Sequence, residues 1–477
     1  MAKITFVQDE LRDRIGVMCL SAALKKKGHA ADVCCNMAEN DLVKAVLATK
    51  PDIVGLSTST VEHKFALLFA EEFKRQAPGT PIVMGGPHAT FFPEVLEHPA
   101  IDLICRGEGD LALVELLDRI GKRIPYHDLE NFHVKRDGKI VKNQLRSLIE
   151  DLDSLPFPDR TIYYDRYPQL AANPTKTFMA MRGCPFLCSY CFNHAMMNLY
   201  RGKGRYLRFR SPENFVDEIR TVKERYGMKW AQLNDDTLNF RKDWLYAFLD
   251  LYRKTIGLGF ICNVRVDYLE EEMVRRLKEA GCDRVNFGIE HGNEAMRRAL
   301  LKRAISDQEI IDAGRWFKKY RIRLFTTNIT GFPGETIRQF FETVRLNRKV
   351  HAEWSGCFIL QPFPGTEIYD YARERGYLSR AFSIDDLQHP HSNFFSHRRS
   401  GSSIRQPNIK RLTRFQKFFY YLVKYPWSTP LVYVLSYLPG NRFYDFMFVL
   451  PEYRRYIKYA RDNHERWEYA KRLFKVL

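Results

Sequence analysis

The sequence has no apolar run long enough to span a bilayer. Its longest candidate, between Pro430 and Pro439, covers about nine residues, whereas a hydrocarbon core of roughly 30 Å calls for about twenty. It also lacks a basic N-terminal stretch followed by an apolar run and a small-residue cleavage site, because Met1 to Phe6 leads straight into Gln8, Asp9 and Glu10. A cytoplasmic protein is expected on that ground. No internal repeat and no low-complexity tract is present, which excludes solenoids and fibrous or compositionally disordered chains. There are ten cysteines, but a cytosolic chain does not use them as disulfides. Seven of them (Cys19, Cys34, Cys35, Cys105, Cys262, Cys282 and Cys357) are dispersed and are expected to behave as small buried hydrophobes.

The 477 residues are 45% apolar and 28% charged, enough for two or three domains with separate cores. The net charge is +18, and from Gly401 onward 15 Lys and Arg face 5 Asp and Glu, so more than half of the excess lies in the last sixth of the chain. Such an excess is read as serving nucleic acid, an anionic membrane surface or an acidic substrate, the alternative being a helical cap whose aromatics fill a core and whose bases are merely solvated.

Residues 1–147 alternate short apolar runs with amphipathic segments. Ile4–Val7, Ala31–Cys35, Asp52–Ser57, Pro81–Met84 and Ile101–Cys105 read as strands, and Gly16–Lys27, Phe65–Gln76 and Ala112–Ile120 as helices. That order predicts an α/β, Rossmann-like, doubly wound parallel sheet. Residues 148–174, crowded with Asp151, Asp153, Pro156, Pro158 and Asp159, read as a linker. The alternation resumes over 175–371 with six strand patterns, starting at Thr177, Trp230, Phe260, Arg284, Leu324 and Cys357. These fit a partial or full βα barrel with its chemistry at the carboxyl ends of the strands. Residues 372–477 read as a mainly helical, basic and aromatic region, with interleaved runs at Phe415–Tyr421 and Tyr453–Tyr459.

The sharpest chemical signal is MRGCPFLCSYCFN, which sets Cys184, Cys188 and Cys191 in a C-x3-C-x2-C loop just after the first barrel strand. Thiolates suit iron–sulfur clusters, and a cubane normally takes four of them. Three leave one iron open to chelate a small amino-carboxylate. Zinc is the alternative, but its sites commonly pair two C-x2-C units, and no second pair exists. The loop resembles that of the radical S-adenosylmethionine (SAM) superfamily. This resemblance implies a 4Fe-4S cluster on the three cysteines, SAM chelated by the free iron with Tyr190 beside it, and reductive cleavage to methionine and a 5′-deoxyadenosyl radical. It also gives roles to residues at the strand ends. Asp235 and Asp236 after the second strand resemble the acceptor for the SAM ammonium, Arg265 after the third would help position SAM, and Glu290 after the fourth would accept the ribose hydroxyls. A helix N-cap is the structural alternative for the aspartates. NITGFPGET, from Asn328, and QPFPGTEIY, from Gln361, resemble the fifth- and sixth-strand signatures of the same subgroup.

VGLSTST, MGGPHATFFPE and CRGEGD resemble the cobalamin-binding domain that precedes the barrel in one large subgroup. Ser57 offers a hydroxyl at one strand end, and Gly85 and Gly86 at the next admit the backbone to a bulky ligand. The D-x-H-x-x-G motif, whose histidine ligates cobalt, is absent, since QDELRDRIG has no histidine before Gly16; His88 is read as a loop residue and not as a cobalt ligand. The resemblance implies a cobalamin-dependent radical SAM enzyme that methylates or rearranges an unactivated carbon of a small or lipid-like molecule, as a C-methyltransferase or an oxidative cyclase. Flavodoxin or ferredoxin would reduce it, and its basic tail would touch the inner face of the membrane. An RNA-modifying enzyme is the principal alternative and a cluster-bearing electron carrier or sensor the remote one.

Overall fold

The structure is a computed structural model that describes residues 1–384, 402–440 and 442–459, with the side chains of 452 and 455–459 outside the description. The remainder of the C-terminal region, and most side chains of the second aromatic-basic run, therefore lie outside the description. The chain forms two compact units. The first comprises Met1–Arg182 and Met197–Lys229; the second comprises Gly183–Met196 and the described residues from Trp230 onward.

In the first unit, β1 (Lys3–Gln8), β2 (Ala30–Cys35), β3 (Ile53–Ser57), β4 (Ile82–Gly85) and β5 (Leu103–Cys105) are parallel. The sheet runs in the order β2-β1-β3-β4-β5 and ends in an antiparallel hairpin, β6 (Phe132–Arg136) and β7 (Lys139–Lys142). Ile4, Ile53, Val54, Ile82 and Met84 are fully buried, as expected of central parallel strands covered on both faces. Helices Ile15–Lys26 and Asp110–Lys122 pack Val17, Leu24, Leu113 and Leu116 on one face. Helices Leu42–Ala48 and His63–Gln76 pack Val43, Phe69 and Phe73 on the other. The chain winds one way from β1 to β2 and the other way from β3, so the strand order reverses between β1 and β3, the place where sheets of this kind bind ligands at their carboxyl ends.

The segment read as a linker is largely packed against this core. Ile162, Tyr163, Tyr164 and Tyr167 are buried in it, and the Tyr163 hydroxyl donates to Gln8 Oε1 at 2.6 Å. Arg160 forms a buried ion pair with Glu218 at 3.1 Å and lies 4.6 Å from the Phe178 ring centre. Three short strands complete the unit, β8 (Thr175–Phe178), β9 (Met181–Arg182) and β10 (Arg208–Phe209), the last two antiparallel.

The second unit contains β11 (Trp230–Leu233), β12 (Gly259–Asn263), β13 (Cys282–Glu290), β14 (Arg323–Thr330) and β15 (Trp354–Ile359), all parallel and in sequential order. Helices Lys242–Thr255, Glu271–Glu279, Asp307–Lys319 and Ile337–Val350 connect them, giving the βα repeat of a partial barrel. After β15 the chain is helical, at Ile409–Lys417, Phe419–Lys424, Thr429–Leu435 and Arg442–Tyr459. Phe415, Phe418, Phe419 and Leu422 are buried against Phe340 and Val344, so most of the first aromatic run fills a core. Among the described residues no helix is long and apolar enough to cross a membrane.

Candidate active site at the strand ends

In the second unit the C-x3-C-x2-C loop folds back on itself, with the Cys191 amide donating to the Cys188 carbonyl at 3.1 Å. Cys184 and Cys188 are buried and Cys191 is half-buried. Burial pushes the Cys184 thiol up to about 11, against a backbone N–H at Phe186, and the charges of Asp236, Cys191 and Cys188 push it the same way. Burial likewise raises Cys191, opposed by the Asn193 amide. Cys184 and Cys191 resist ionisation and stand in one loop with Cys188, so holding the three together as thiolates calls for a strongly cationic partner, which is the chemistry of an iron–sulfur cluster. Among the described residues no group of three His, Cys, Asp or Glu side chains is placed to hold a metal ion.

Cations surround Cys188. Arg265 Nη1 lies 3.6 Å and Arg303 Nη1 3.8 Å from its Sγ, both placed to donate to a thiolate. Arg265 is aimed by a bidentate pair with Asp267 (2.9 and 2.8 Å), by the Phe186 ring 3.5 Å beneath it, and by Asn239, whose amide side chain exchanges two hydrogen bonds with its backbone. Arg303 also donates to the Gly288 carbonyl at 2.8 Å and approaches the Tyr190 hydroxyl at 3.4 Å. Sequence reasoning missed Arg303, Asn193 and Phe186. The latter two lie inside the cysteine motif, whereas Arg303, in the loop between the helices Glu294–Ala299 and Asp307–Lys319, carried no periodic signal.

Glu290 ends β13 with φ = 65°, a left-handed backbone unusual for glutamate. It accepts a hydrogen bond from Tyr190, and its carboxyl is raised by burial despite Arg303, Tyr190 and Arg265, which favour the anion. Asp235 is buried after β11, and its backbone carbonyl accepts from Asn263 Nδ2 at 3.0 Å. Asp236 is exposed, accepts from Asn193 Nδ2 at 2.8 Å, and has its carboxyl raised by the surrounding protein despite that bond. Neither caps a helix, since the next one begins at Lys242 with Arg241 at its cap. Cys184, Cys188, Cys191, Tyr190, Asp236, Arg265 and Glu290 thus share the carboxyl ends of β11, β12 and β13. The GFPGET turn is architectural. Glu335 is buried, accepts from Thr330 Oγ1 at 2.9 Å and from the Phe332 amide at 3.1 Å, and meets His291 at 3.2 Å.

In the first unit, Ser57, Gly85 and Gly86 lie at the ends of β3 and β4. Arg14, from the loop after β1, reaches across the reversal point to the Ser57 carbonyl at 2.8 Å and to both carboxylate oxygens of Glu62. Burial pushes Glu62 up, but the Arg14 charge and hydrogen bonds outweigh it and hold the carboxyl low. His88 is not in a loop, as the sequence had suggested; it is buried in the helix Pro87–Phe91 and stacks on His63, 4.7 Å between ring centres. Gly86 has φ = 88°, and a Cβ there would lie 2.8 Å from the Thr58 carbonyl oxygen. The two strand ends therefore meet as closely packed bare backbone. Gly86→Val is expected to cost about 1–3 kcal/mol of stability, read as a lower urea midpoint, and to weaken cobalamin retention at the same time.

Together, the doubly wound sheet and the partial βα barrel with its three-thiol loop define an α/β enzyme built to hold an iron–sulfur cluster at the strand ends. Residues 179–346 match the family model described as "Radical SAM superfamily", and residues 12–117 that described as "B12 binding domain". The chain is 30% identical over 359 residues to an uncharacterized methyltransferase of Pyrococcus horikoshii, covering 74% of this chain and 76% of that protein. It is 24% identical over 390 residues to the anaerobic magnesium-protoporphyrin IX monomethyl ester cyclase of Synechocystis, covering 79% and 76%. The radical SAM methyltransferase TsrM from Kitasatospora setae, solved with cobalamin and a [4Fe-4S] cluster, shares the fold at TM-score 0.65 and 18% identity, over 79% of this chain and 78% of that one. The chain belongs to the cobalamin-dependent radical SAM family, an enzyme family of methyltransferases and cyclases whose cofactors are a 4Fe-4S cluster, SAM and cobalamin.

Proposed function

We propose that this enzyme transfers a methyl group to, or oxidatively rearranges, an unactivated carbon of a small or lipid-like molecule. The observation that carries the proposal is the gathering of three cysteines, two arginines, Tyr190, Asp236 and Glu290 at the ends of three adjacent strands. When bound, the cluster supplies the electron that cleaves SAM, and cobalamin carries a methyl group. Cys184, Cys188 and Cys191 hold the cluster in this proposal. Arg265 and Arg303 stabilise the negative charge of its thiolates, Asp235 and Asp236 attract the SAM ammonium, Tyr190 lies beside SAM, and Glu290 accepts the ribose hydroxyls. Ser57, Gly85 and Gly86 line the cobalamin site. The functional parts are taken as 1–147 for cobalamin, 175–371 for the cluster and SAM, with 148–174 joining them, and 372–477 as the helical region.

A low-potential one-electron donor is required, and flavodoxin or ferredoxin fits that need in a cytoplasmic enzyme. The basic C-terminal region would place such an enzyme at the inner membrane face. Anaerobic reconstitution followed by an optical spectrum and assay of products from SAM tests the proposal. Bound cobalamin, 5′-deoxyadenosine and S-adenosylhomocysteine together support methyl transfer. 5′-Deoxyadenosine without S-adenosylhomocysteine supports rearrangement, and the absence of 5′-deoxyadenosine would overturn both.

A further inference from the structure

From Ser402 to Tyr444 the sequence carries seven Lys and Arg and no Asp or Glu, where the chain's average would place about five carboxylates. The described residues of this stretch also present an apolar face. Trp427 is 76% exposed, Leu431 59%, Val434 62% and Leu438 50%. Their spacing of four, three and four residues puts them on one side of the helix Thr429–Leu435 and its flanking turns. The other side is anchored: Val432 is buried with Phe415 and Leu422, and Ser436 is buried beneath Arg411. The stripe is therefore not a core face that happens to be open. Tyr437 and Phe443, 60% and 51% exposed, extend it.

Fixed cations rim the stripe. The Arg411 guanidinium lies 3.9 Å from the Tyr437 ring centre and 5.0 Å from that of Tyr433, and donates to Ser436 Oγ at 3.2 Å. Arg414 donates to the Ser436 carbonyl at 2.9 Å, and Lys424 and Arg442 are exposed nearby in sequence. Among the described residues from Ser402 to Tyr444 the charges beside the stripe are cations, with Asp445, paired to Lys417, the first carboxylate beyond them, and such a face fits a partner that is anionic at its surface and apolar just beneath. We propose that Trp427, Leu431, Val434 and Leu438 insert into the headgroup–acyl boundary of an anionic bilayer while Arg411, Arg414, Lys424 and Arg442 meet its phosphates. Single-stranded RNA fits less well, because three of the four stripe residues are aliphatic and offer no ring on which a base could stack. The inference uses none of the cluster chemistry, so it stands or falls separately from the proposed reaction.

The test is flotation of the full-length protein with vesicles of phosphatidylcholine alone and with phosphatidylglycerol added. Binding is expected only to the anionic vesicles, weakening with salt and accompanied by a blue shift in tryptophan emission that Trp427→Phe diminishes. Leu431→Gln with Val434→Gln should lower partitioning by at least about tenfold, since each side chain forfeits its transfer from water. Both residues are exposed, so the variant's circular dichroism spectrum should match that of the parent. Failure to bind anionic vesicles at low salt, or binding unaffected by the double variant, would overturn the proposal. So would a dimer, or an RNA complex, that the double variant abolishes while vesicle binding is absent.

Discussion

Anaerobically reconstituted Cys188→Ala is expected to lose the iron–sulfur absorbance of the parent and to form 5′-deoxyadenosine from SAM at less than about one-thousandth of its rate. Cys184, Cys188 and Cys191 would be the cluster's protein ligands, and removing one would leave two sulfurs to keep it against water and chelators. Cys188 is the informative choice, because Arg265 and Arg303 both point to its sulfur from within 4 Å. In Cys188→Ala these two guanidiniums would face a methyl group, so a fall in thermal stability should accompany the loss of iron. Cys262→Ala is the control. Its sulfur is buried in β12 beside Cys282, outside the loop, and its removal should spare both absorbance and turnover. A Cys188→Ala enzyme that still cleaved SAM would remove the loop from the chemistry.

Much of this architecture was legible because parallel strands and the cysteine loop are local signals. The apolar runs at Ile53–Leu56 and Ile82–Met84 could be little else than buried strands, and C-x3-C-x2-C needs no long-range partner to be recognised. The β6–β7 hairpin was legible and missed. Asp137 and Gly138 both take positive φ, 50° and 74°, the type I′ turn that an Asp-Gly pair favours, but its strands are short and half-polar. Residues 148–174 looked like a linker because their contribution to the core is aromatic and aperiodic. Tyr163 and Tyr167 are held by hydrogen bonds to Gln8 and the Cys35 amide, more than 130 residues away in sequence. Arg303 was illegible for the same reason, since only the folded sheet brings its loop to the cysteines. The basic aromatic region divides in a way that composition cannot show. Phe415, Phe418 and Phe419 are core, while Trp427 and Leu431 are surface.

Glu290→Gln is expected to stabilise the SAM-free protein at neutral pH while weakening SAM binding about 10- to 100-fold, the worth of hydrogen bonds to a charged acceptor at about 1.5–3 kcal/mol. The two effects share one cause. β13 ends in a strained left-handed residue whose carboxylate folds back over Gly288, close enough that a Cβ on that glycine would lie 1.8 Å from Oε1. Burial raises the Glu290 carboxyl above its value of about 4.3 in an unfolded chain, and the nearby arginines and the Tyr190 hydroxyl only partly offset it. A carboxyl raised by folding favours the native state in its protonated form. That contribution is complete at pH below the unfolded value and is lost as pH rises through the folded one. Above the unfolded value the carboxyl is ionised and well solvated in the unfolded chain, an advantage that burial denies the folded one, and glutamine removes that difference while still accepting from Tyr190. The melting temperatures of the two proteins should converge in acid and separate toward neutral pH, with the variant higher. Isothermal titration with SAM supplies the other half. Unchanged affinity would show that the ribose is held elsewhere, and a destabilised variant would mean that the ionised carboxylate contributes more through Arg303 and Tyr190 than its desolvation costs.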